Sequence, residues 1–430
     1  MANKTQVSKD FFTQADRMSL TTFEKFLTEV YLHLDPRTAP PLIVWGCPGV
    51  GKSEIINAAF KQVNPGNRGL KTVILSQIGA LDTYGMPHIN DAGTTEFTPT
   101  ATFGRGQKHL FLDEMNNATP LVQGAVQNLL SAKVMGDDSY QDVFLIAACN
   151  PPSTNSLAND LNHPIMSRCM HIVMDYEVAD FENFAMNIYP IHPAITAFHK
   201  QSEGTCLQAK FTLLANKNLE VPEPAQNEPF PTPRSWKIAS DMLCALTKNG
   251  TTIPNWEMLR ASIQGCVGII AAEKFSQTYA YMNQIPDIKA IWEGKKVNCE
   301  RLKNSTVVQY ITMYSVINYA VARMVEASAQ KIRFDLKSVK DRTTTDCYKL
   351  IAGVHRSIVF LGDHTTPELA QTALSSVWGR AITIENIGTR LTSELLQGVD
   401  PANGLTRESI IKYSRQENHN HAALQKALGQ

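Results

Sequence analysis

The first 175 residues contain five short runs of apolar residues, each about as long as one β-strand. A stretch that could hold a helix separates each run from the next, and the runs are nearly continuous rather than alternating. This pattern is typical of parallel strands that are buried on both faces of a sheet. The predicted strands are Leu42–Trp45, Val73–Leu75, Leu110–Leu112, Val143–Ala148 and Ile172–Met174. The pattern predicts an α/β fold with a parallel sheet and helices on both of its faces.

A helical pattern precedes this predicted sheet. Ser19–Leu32 predicts an amphipathic helix that leads into the sheet domain, and Asp35 and Pro36 then end it. The apolar side of this helix is predicted to comprise Leu20, Phe23, Phe26, Leu27, Val30 and Tyr31.

The chain after Tyr176 is predicted to be helical. A loop rich in proline between Asn216 and Pro233 is expected to lead into a helix that begins near Arg234 and buries Trp236, Ala239 and Leu243. Further predicted helices are Phe181–Tyr189, Pro193–His199, Val307–Val325 and one that opens at Thr366 and Pro367. The predicted organisation is an α/β domain with the leading helix over residues 1–175, a helical lid over 176–300 and a helical region of unknown role over 301–430.

Composition narrows the choice of partners and compartment. Forty basic residues balance forty acidic ones, so no bulk charge attracts nucleic acid or an anionic membrane, and protein partners are predicted instead. The eight cysteines are scattered without a C-x-x-C pair, which predicts reduced thiols. The amino terminus lacks an apolar signal-peptide core, so a cytoplasmic location is expected. Residues 304–322 carry no charge but are too polar for a membrane span, and a buried helix is predicted there.

A glycine-rich segment follows the first predicted strand. Residues 46–53 read GCPGVGKS, which matches G-x-x-x-x-G-K-[ST] between that strand and a helical stretch. The glycines let backbone amides wrap around phosphates, while Lys52 is expected to reach the β- and γ-phosphates and Ser53 to ligate Mg²⁺. The predicted nucleotide-binding residues here are Gly46, Pro48, Gly49, Val50, Gly51, Lys52 and Ser53. A purely structural glycine turn is the alternative, which the surrounding strand and helix disfavour.

Two further predicted strands end in polar side chains. The segment HLFLDEMNNA places Asp113 and Glu114 at the carboxyl end of a buried strand, where ligands bind in open α/β sheets. Asp113 is expected to hold Mg²⁺, and Glu114 to act as the base that activates water. In VFLIAACNPP, Asn150 ends another strand, and its amide could contact both the γ-phosphate and that water. Taken singly, these residues are also compatible with a helix cap and an ordinary turn.

The order of these motifs, followed by Arg168 and Arg234, resembles the AAA+ superfamily of ATPases, and the intervening segments are similar to its MoxR-like branch. LSQIGALDTYGMPHINDAG is similar to the stretch where that branch carries a β-hairpin beside its second helix. FLDEMNNATPLVQGAVQNLLSAKVMGD resembles its second nucleotide motif with the following helix and hairpin. HPIMSRCMHIVMDYEVADFENFA and FPTPRSW resemble the segments that bear its arginine finger and its lid arginine. The resemblance covers roughly residues 40 to 245.

The resemblance implies a ring, usually of six subunits, in which ATP and Mg²⁺ bind at subunit boundaries. Arg168 would be the finger that reaches the γ-phosphate of the neighbouring subunit, and Arg234 would act from the lid within its own subunit. A planar, permanently charged guanidinium suits both roles, while a solvated surface charge is the alternative for each. The chain departs from the family pattern at Cys169, where members usually have Phe, and in its longer helical tail.

Three functions compete. The leading hypothesis is an ATP-driven chaperone that remodels a protein target, recruited, as the resemblance implies, by a von Willebrand factor A domain partner. A nucleic-acid translocating or restriction-type NTPase is the runner-up, and the neutral charge disfavours it. A nucleotide-gated scaffold is the third, which Glu114 and Arg168 disfavour because a pure binder needs neither. His88–Gly93 is either a plain exposed hairpin tip or a substrate-contacting loop, and His419 and His421 are predicted to be solvated rather than metal ligands.

Overall fold

A computed structural model describes residues 11–64, 70–98, 101–135, 138–151, 159–211, 217–247, 255–330 and 346–384, apart from residues 13, 105 and 226. His419 and His421 lie outside these residues. The chain divides into two compact units. The first comprises the residues up to Asp180 together with Gln208–Asn227 and Thr232–Ser235, and the second comprises Phe181–Leu207, Glu228–Pro231 and the chain from Trp236 onward. The predicted boundaries near residues 176 and 300 stay predictions.

The first unit is built on a parallel sheet, which confirms the predicted fold class. Its described strands, in chain order, are β1 (Arg17–Met18), β2 (Leu42–Trp45), β3 (Leu70–Ile74), β4 (Met86–Ile89), β5 (Thr95–Thr98), β6 (His109–Asp113), β7 (Val134–Met135), β8 (Asp138–Ser139), β9 (Phe144–Cys149) and β10 (Met170–Met174). Six of them form the sheet in the order β1-β10-β2-β9-β6-β3, and all its neighbours are parallel. The pairs β4-β5 and β7-β8 are separate antiparallel hairpins.

Burial explains which strands the apolar pattern located well. Every residue of β2 and β9 is buried, as are the first four residues of β6. By contrast, β3 is an edge strand with only Val73 buried, so its polar first half, including Lys71 and Thr72, carried no apolar signal. The strand predicted over Val73–Leu75 therefore begins earlier, at Leu70. It also ends earlier, because Leu75–Gln77 forms a 3₁₀ turn.

Five α-helices accompany the sheet among the described residues of the first unit: α1 (Leu20–Lys25), α2 (Lys52–Val63), α3 (Ala80–Tyr84), α4 (Pro120–Ala132) and α5 (His163–Arg168). The leading helix differs from its prediction. After α1 the chain continues as a π-helical turn over Phe26–Val30 and a 3₁₀ turn over Tyr31–His33. This change of pitch takes Val30 out of the predicted apolar side, and 50% of its surface is exposed, whereas Phe23 and Leu27 are fully buried.

The second unit is helical. The helices from residue 178 onward are α6 (Val178–Asn187), α7 (Pro193–Gln201), α8 (Pro233–Leu246), α9 (Trp256–Val267), α10 (Ile269–Tyr279), α11 (Ile288–Glu293), α12 (Glu300–Asn304), α13 (Thr306–Ala329), α14 (Asp346–His364) and α15 (Pro367–Thr383). Trp236, Ala239 and Leu243 are fully buried on α8, as predicted. The long α13 supplies much of the core through its contacts with α7, α14 and α15.

The uncharged stretch 304–322 lies mainly in α13, most of whose buried residues belong to this core. None of the helices in the described chain combines the length and the apolarity that crossing a bilayer requires.

Candidate functional site

The loop between β2 and α2 has a backbone that only glycine adopts without strain at two positions. Gly49 and Gly51 have φ values of 76° and 100°, in the left-handed region. A Cβ at Gly49 would also lie 2.7 Å from Oγ1 of Thr232. The remaining loop residues are Gly46, Cys47, Pro48 and Val50. Because α2 begins at Lys52, the loop leads into a helix N-terminus, where free backbone N–H groups favour an anion.

Lys52 is buried, and all three of its ammonium hydrogens have acceptors. Nζ donates to the carbonyl oxygens of Gly46 at 2.7 Å and Cys47 at 3.1 Å, and to Oδ1 of Asn150 at 2.8 Å. Burial lowers the pKa of Lys52 to about 8, against the opposing effects of nearby groups such as Cys47 and Asp113. The ammonium is therefore a poorly solvated cation, for which a phosphate would be a strong ionic partner.

Asn150 is anchored by Asn116, a residue that the sequence analysis missed. Asn116 Nδ2 donates to the carbonyl of Asn150 at 2.6 Å, and the backbone N–H of Asn150 donates to Asn116 Oδ1 at 3.1 Å. Asn116 is fully buried, and its own carbonyl accepts from the N–H of Asn159 at 2.8 Å. This reciprocal pair fixes the backbone at the end of β9 and leaves the Asn150 side chain for Lys52. The segment DEMNN contains two asparagines, and its spacing alone does not say which one turns inward.

Ser53 and Asp113 meet at the same edge of the sheet. Ser53 Oγ donates to Asp113 Oδ2 at 2.7 Å, while Asp113 Oδ1 accepts from the backbone N–H of Glu114 at 2.9 Å. A hydroxyl beside a single carboxylate fits Mg²⁺, which prefers oxygen ligands and takes few from the protein when phosphates supply the rest. Within the described residues, no group of three or more His, Cys, Asp or Glu side chains could hold a metal ion by itself.

Glu114 has an unusual backbone and a different partner from Asp113. Its φ of 54° and ψ of 39° are left-handed, a conformation that is uncommon for a residue other than glycine and often marks functional sites. The hydroxyl of Ser76, in the turn after β3, donates to the Glu114 carboxylate. The strained turn thus separates two adjacent carboxylates, one directed to Ser53 and the other to Ser76. Ser76 was also missed, because its place beside Glu114 depends on the pairing of β3 with β6.

Arg234 lies against the phosphate-binding loop. Its backbone N–H donates to the carbonyl of Gly49 at 3.2 Å, and its Nη2 approaches Glu54 Oε1 at 3.4 Å, both side chains being more than half exposed. The start of α8 is set by a reciprocal cap: Thr232 Oγ1 accepts from the N–H of Ser235 at 3.0 Å, and Ser235 Oγ accepts from the N–H of Thr232 at 2.7 Å. The TPRS sequence thus places Arg234 in the first turn of α8, next to the loop.

Arg168 is the one predicted site residue that no described contact joins to this cluster. It is the last residue of α5, and its exposed side chain donates from Nη1 to the carbonyl of Pro164 in the same helix at 3.2 Å. The predicted residues that do come together are Lys52, Ser53, Asp113, Glu114, Asn150 and Arg234.

The fold and this cluster define a class of protein, the P-loop nucleotide hydrolases. The phosphate-binding loop leaves the carboxyl end of β2, next to β9. The chain continues from these two neighbouring strands in opposite directions across the sheet, and ligands bind at such points in parallel sheets. Residues 41–169 match the family model described as "AAA domain (dynein-related subfamily)". The match contains the loop, Asp113, Glu114, Asn150 and Arg168, so this segment of the chain is similar to an AAA domain.

No curated protein matches the chain, whereas many solved structures do. NtrX from Brucella abortus is 15% identical, with 65% of this chain and 65% of the NtrX chain covered and a TM-score of 0.34. A RuvB mutant from Thermotoga maritima is 13% identical over 64% of this chain and 77% of that one, with a TM-score of 0.31. A putative ATPase from Cytophaga hutchinsonii is 13% identical over 97% and 94%, with a TM-score of 0.26. At these scores, none of them identifies a substrate or a partner.

Proposed function

We propose that this chain is a Mg²⁺-dependent ATPase that works as a ring and uses the ATP cycle to remodel a protein target. The observation that carries the proposal is the convergence of Lys52 on Asn150 and of Ser53 on Asp113 at one edge of the sheet. A cation, an amide, a hydroxyl and a carboxylate are the groups that phosphoryl transfer to water requires at that place.

Each side chain has a distinct part in the proposed reaction. Lys52 binds the β- and γ-phosphates, exchanging its loop carbonyls for phosphate oxygens. Ser53 and Asp113 would hold Mg²⁺, which would supply positive charge that partly neutralises the phosphate groups. Glu114 accepts the proton of the attacking water, and Asn150 orients that water and the γ-phosphate.

The ring is proposed because one cationic group is missing from the cluster of a single chain. Arg168 is exposed at the end of α5 and bonds only within its own helix among its described contacts, which suits a group that serves another subunit. Arg234, by contrast, contacts the loop and the P-loop helix of its own chain. We propose that Arg168 completes the site of a neighbour, in a hexamer of the MoxR-like kind.

The target of the ring is proposed to be a protein. The equal numbers of basic and acidic residues support a protein target over nucleic acid. A partner with a von Willebrand factor A domain would deliver this target, and a cytoplasmic location belongs to the same proposal.

The test of the proposed function uses three variants. Lys52→Ala is expected to lose tight ATP binding, whereas Glu114→Gln keeps binding but loses hydrolysis by about a hundredfold or more. Arg168→Ala by itself is expected to have lower hydrolysis and to regain part of it when mixed with Glu114→Gln, because the intact Arg168 of a Glu114→Gln subunit completes the site of its Arg168→Ala neighbour. Steady-state phosphate release and binding of a fluorescent ATP analogue measure these effects. Undiminished turnover in Glu114→Gln would refute the assignment of the base, and unrestored turnover in the mixture would refute the shared site.

A further inference from the structure

A half-buried histidine lies between the strand that carries the phosphate-binding loop and the helix that carries Arg168. His171 is on β10, and both of its ring nitrogens have partners in the first unit. Trp45 Nε1 donates to Nδ1 at 3.0 Å, and Nε2 lies 3.1 Å from the carbonyl oxygen of Met166. Trp45 is the last residue of β2, immediately before Gly46 of the loop, while Met166 is in α5, two residues before Arg168.

These two partners determine the tautomer of His171. The indole N–H is only a donor and the backbone carbonyl is only an acceptor. Nδ1 must therefore be unprotonated and Nε2 must carry the hydrogen, so the ring is neutral. Burial lowers the pKa of His171, and the hydrogen bond to Met166 opposes this effect, in agreement with a ring that stays neutral at physiological pH. Trp45 also packs face to face with His171, with the ring centroids 6.2 Å apart.

The helix α5 needs such support at its carboxyl end. It has only six residues, too few to be stable on its own, and the last carbonyl groups of any helix lack partners within it. At its start, Asn162 Oδ1 accepts a hydrogen bond from the N–H of Ile165 at 3.1 Å, and Asn162 Nδ2 donates one to Oε1 of Gln127 in α4 at 2.9 Å. At its end, the carbonyl of Met166 is held by His171.

We propose that His171 and Trp45 form a positioning pair that holds the carboxyl end of α5, and so presents Arg168 to the ATP of the neighbouring subunit. This inference rests on the proposed ring with a shared site. His171 touches neither nucleotide nor water in this role and acts only through the backbone of α5. Trp45, on the strand that leads into the phosphate-binding loop of one subunit, thereby helps to position Arg168, which acts in the active site of the neighbouring subunit.

The test uses substitutions that remove one or both hydrogen bonds. His171→Leu removes both, and Trp45→Phe removes the indole N–H while keeping an aromatic ring. In the full-length protein, each is expected to lower kcat by about tenfold, the scale of loss that a small misplacement of a catalytic group causes, with KM for ATP changed less than about twofold. The double variant is expected to be little worse than either single one, because both act through the same contact.

Two controls separate positioning from general damage. His171→Gln retains one donor and one acceptor and is expected to recover most of the lost turnover. His163→Leu makes the same change at an exposed histidine at the start of α5, for which turnover is expected to stay unchanged.

The decisive experiment mixes the His171 or Trp45 variants with Glu114→Gln subunits, whose Arg168 is intact. If His171 and Trp45 act through Arg168, the mixture regains part of the turnover that each variant lost, at the sites whose neighbour is a Glu114→Gln subunit. A defect in the variant's own phosphate-binding loop would not be repaired, so a loss that persists in the mixture overturns the inference, as does normal turnover of His171→Leu. If the inference is overturned in either way but Arg168→Ala still recovers turnover when mixed with Glu114→Gln, the proposal of a ring with a shared site stands. If Arg168→Ala does not recover, the shared site is refuted and the inference falls with it.

Discussion

At the scale of the residue, burial gives Lys52 a property that its motif does not encode. The ammonium lies among backbone carbonyls and one amide oxygen, and its pKa is lowered to about 8, chiefly by burial. Only the protonated form attracts a phosphate strongly. Nucleotide binding should therefore depend on pH near pH 8, where a lysine with the ordinary pKa of 10.5 would still be protonated.

The affinity for ATP is expected to be constant from about pH 7 to 7.5 and to fall above pH 8. Protonation of Lys52 is needed for binding, so each pH unit above its pKa removes up to about tenfold in affinity. Titrations with a fluorescent ATP analogue between pH 7 and 9.5 measure this effect. Lys52→Arg serves as the matched control, because a guanidinium stays charged throughout and should bind with lower but pH-independent affinity. A flat profile for the native protein would contradict the lowered pKa.

At the scale of the element, α14 packs against α11 through a glycine. A Cβ at Gly353 would lie 2.1 Å from the indole ring of Trp292, and Trp292 also meets Tyr319 edge to face, with the centroids 5.4 Å apart. The absence of a side chain at Gly353 therefore lets the indole lie on the backbone of α14. Glycine lowers the stability of a helix, and the close packing of Trp292 on the backbone of α14 offsets this loss.

Gly353→Ala is expected to lower the free energy of unfolding of the second unit by about 1–3 kcal/mol, the usual cost of overpacking. The added Trp292→Leu substitution should reduce this loss by making room. Gly265→Ala is the matched control, since this glycine lies within α9 and a Cβ there meets nothing within 4 Å. That control should gain roughly 0.5–1 kcal/mol from helix propensity. Urea unfolding measures both, and equal effects at the two glycines would refute the packing role of Gly353.

At the scale of the whole molecule, the second unit contains buried histidines that must stay neutral. Burial lowers the pKa of His192 and His355 to about 4 and that of His199 to about 3. Neither ring nitrogen of His199 has a hydrogen-bond partner among the described residues, and the ring is surrounded by aromatic side chains, Trp236 among them at 4.6 Å between centroids. In the unfolded chain these histidines take up protons near pH 6.5. Stability is thus fully present above pH 6.5 and is lost as the pH falls toward 3 to 4.

His199→Leu is expected to make the second unit more resistant to acid. The native histidine should lose about 1.4 kcal/mol of stability per pH unit below 6.5, which amounts to about 2 kcal/mol at pH 5. Leucine takes up no proton, so the His199→Leu variant does not lose this part of its stability as the pH falls. The substitution also removes the cost of burying an unpartnered polar ring. Urea unfolding at pH 7.5 and pH 5 checks the difference, followed by the fluorescence of Trp236, which packs against this ring. His33→Leu, at an exposed histidine, should leave the pH dependence as it is, and an unchanged dependence in His199→Leu would contradict the prediction.

Sequence patterns located the sheet because a strand buried on both faces must be apolar throughout. They failed where burial is one-sided or the helical pitch changes, as in β3 and around Val30. The residues of the phosphate-binding loop were predictable because they are consecutive, so their spacing carries the geometry. The meeting of Asp113, Glu114 and Asn150 at one edge of the sheet was predictable because parallel strands bring their carboxyl ends together there.

Tertiary structure alone decided which side chains hold these groups in place. Asn116 under Asn150, Ser76 beside Glu114 and Trp45 against His171 are all pairs from different elements. No local spacing joins such partners, because their distance depends on strand order and on how each turn is built. The sequence by itself thus determined the chemistry of the site and the class of the fold. Only the folded chain decided how that chemistry is oriented, since these hydrogen bonds join residues that are distant in the sequence and that lie close together only in the folded structure.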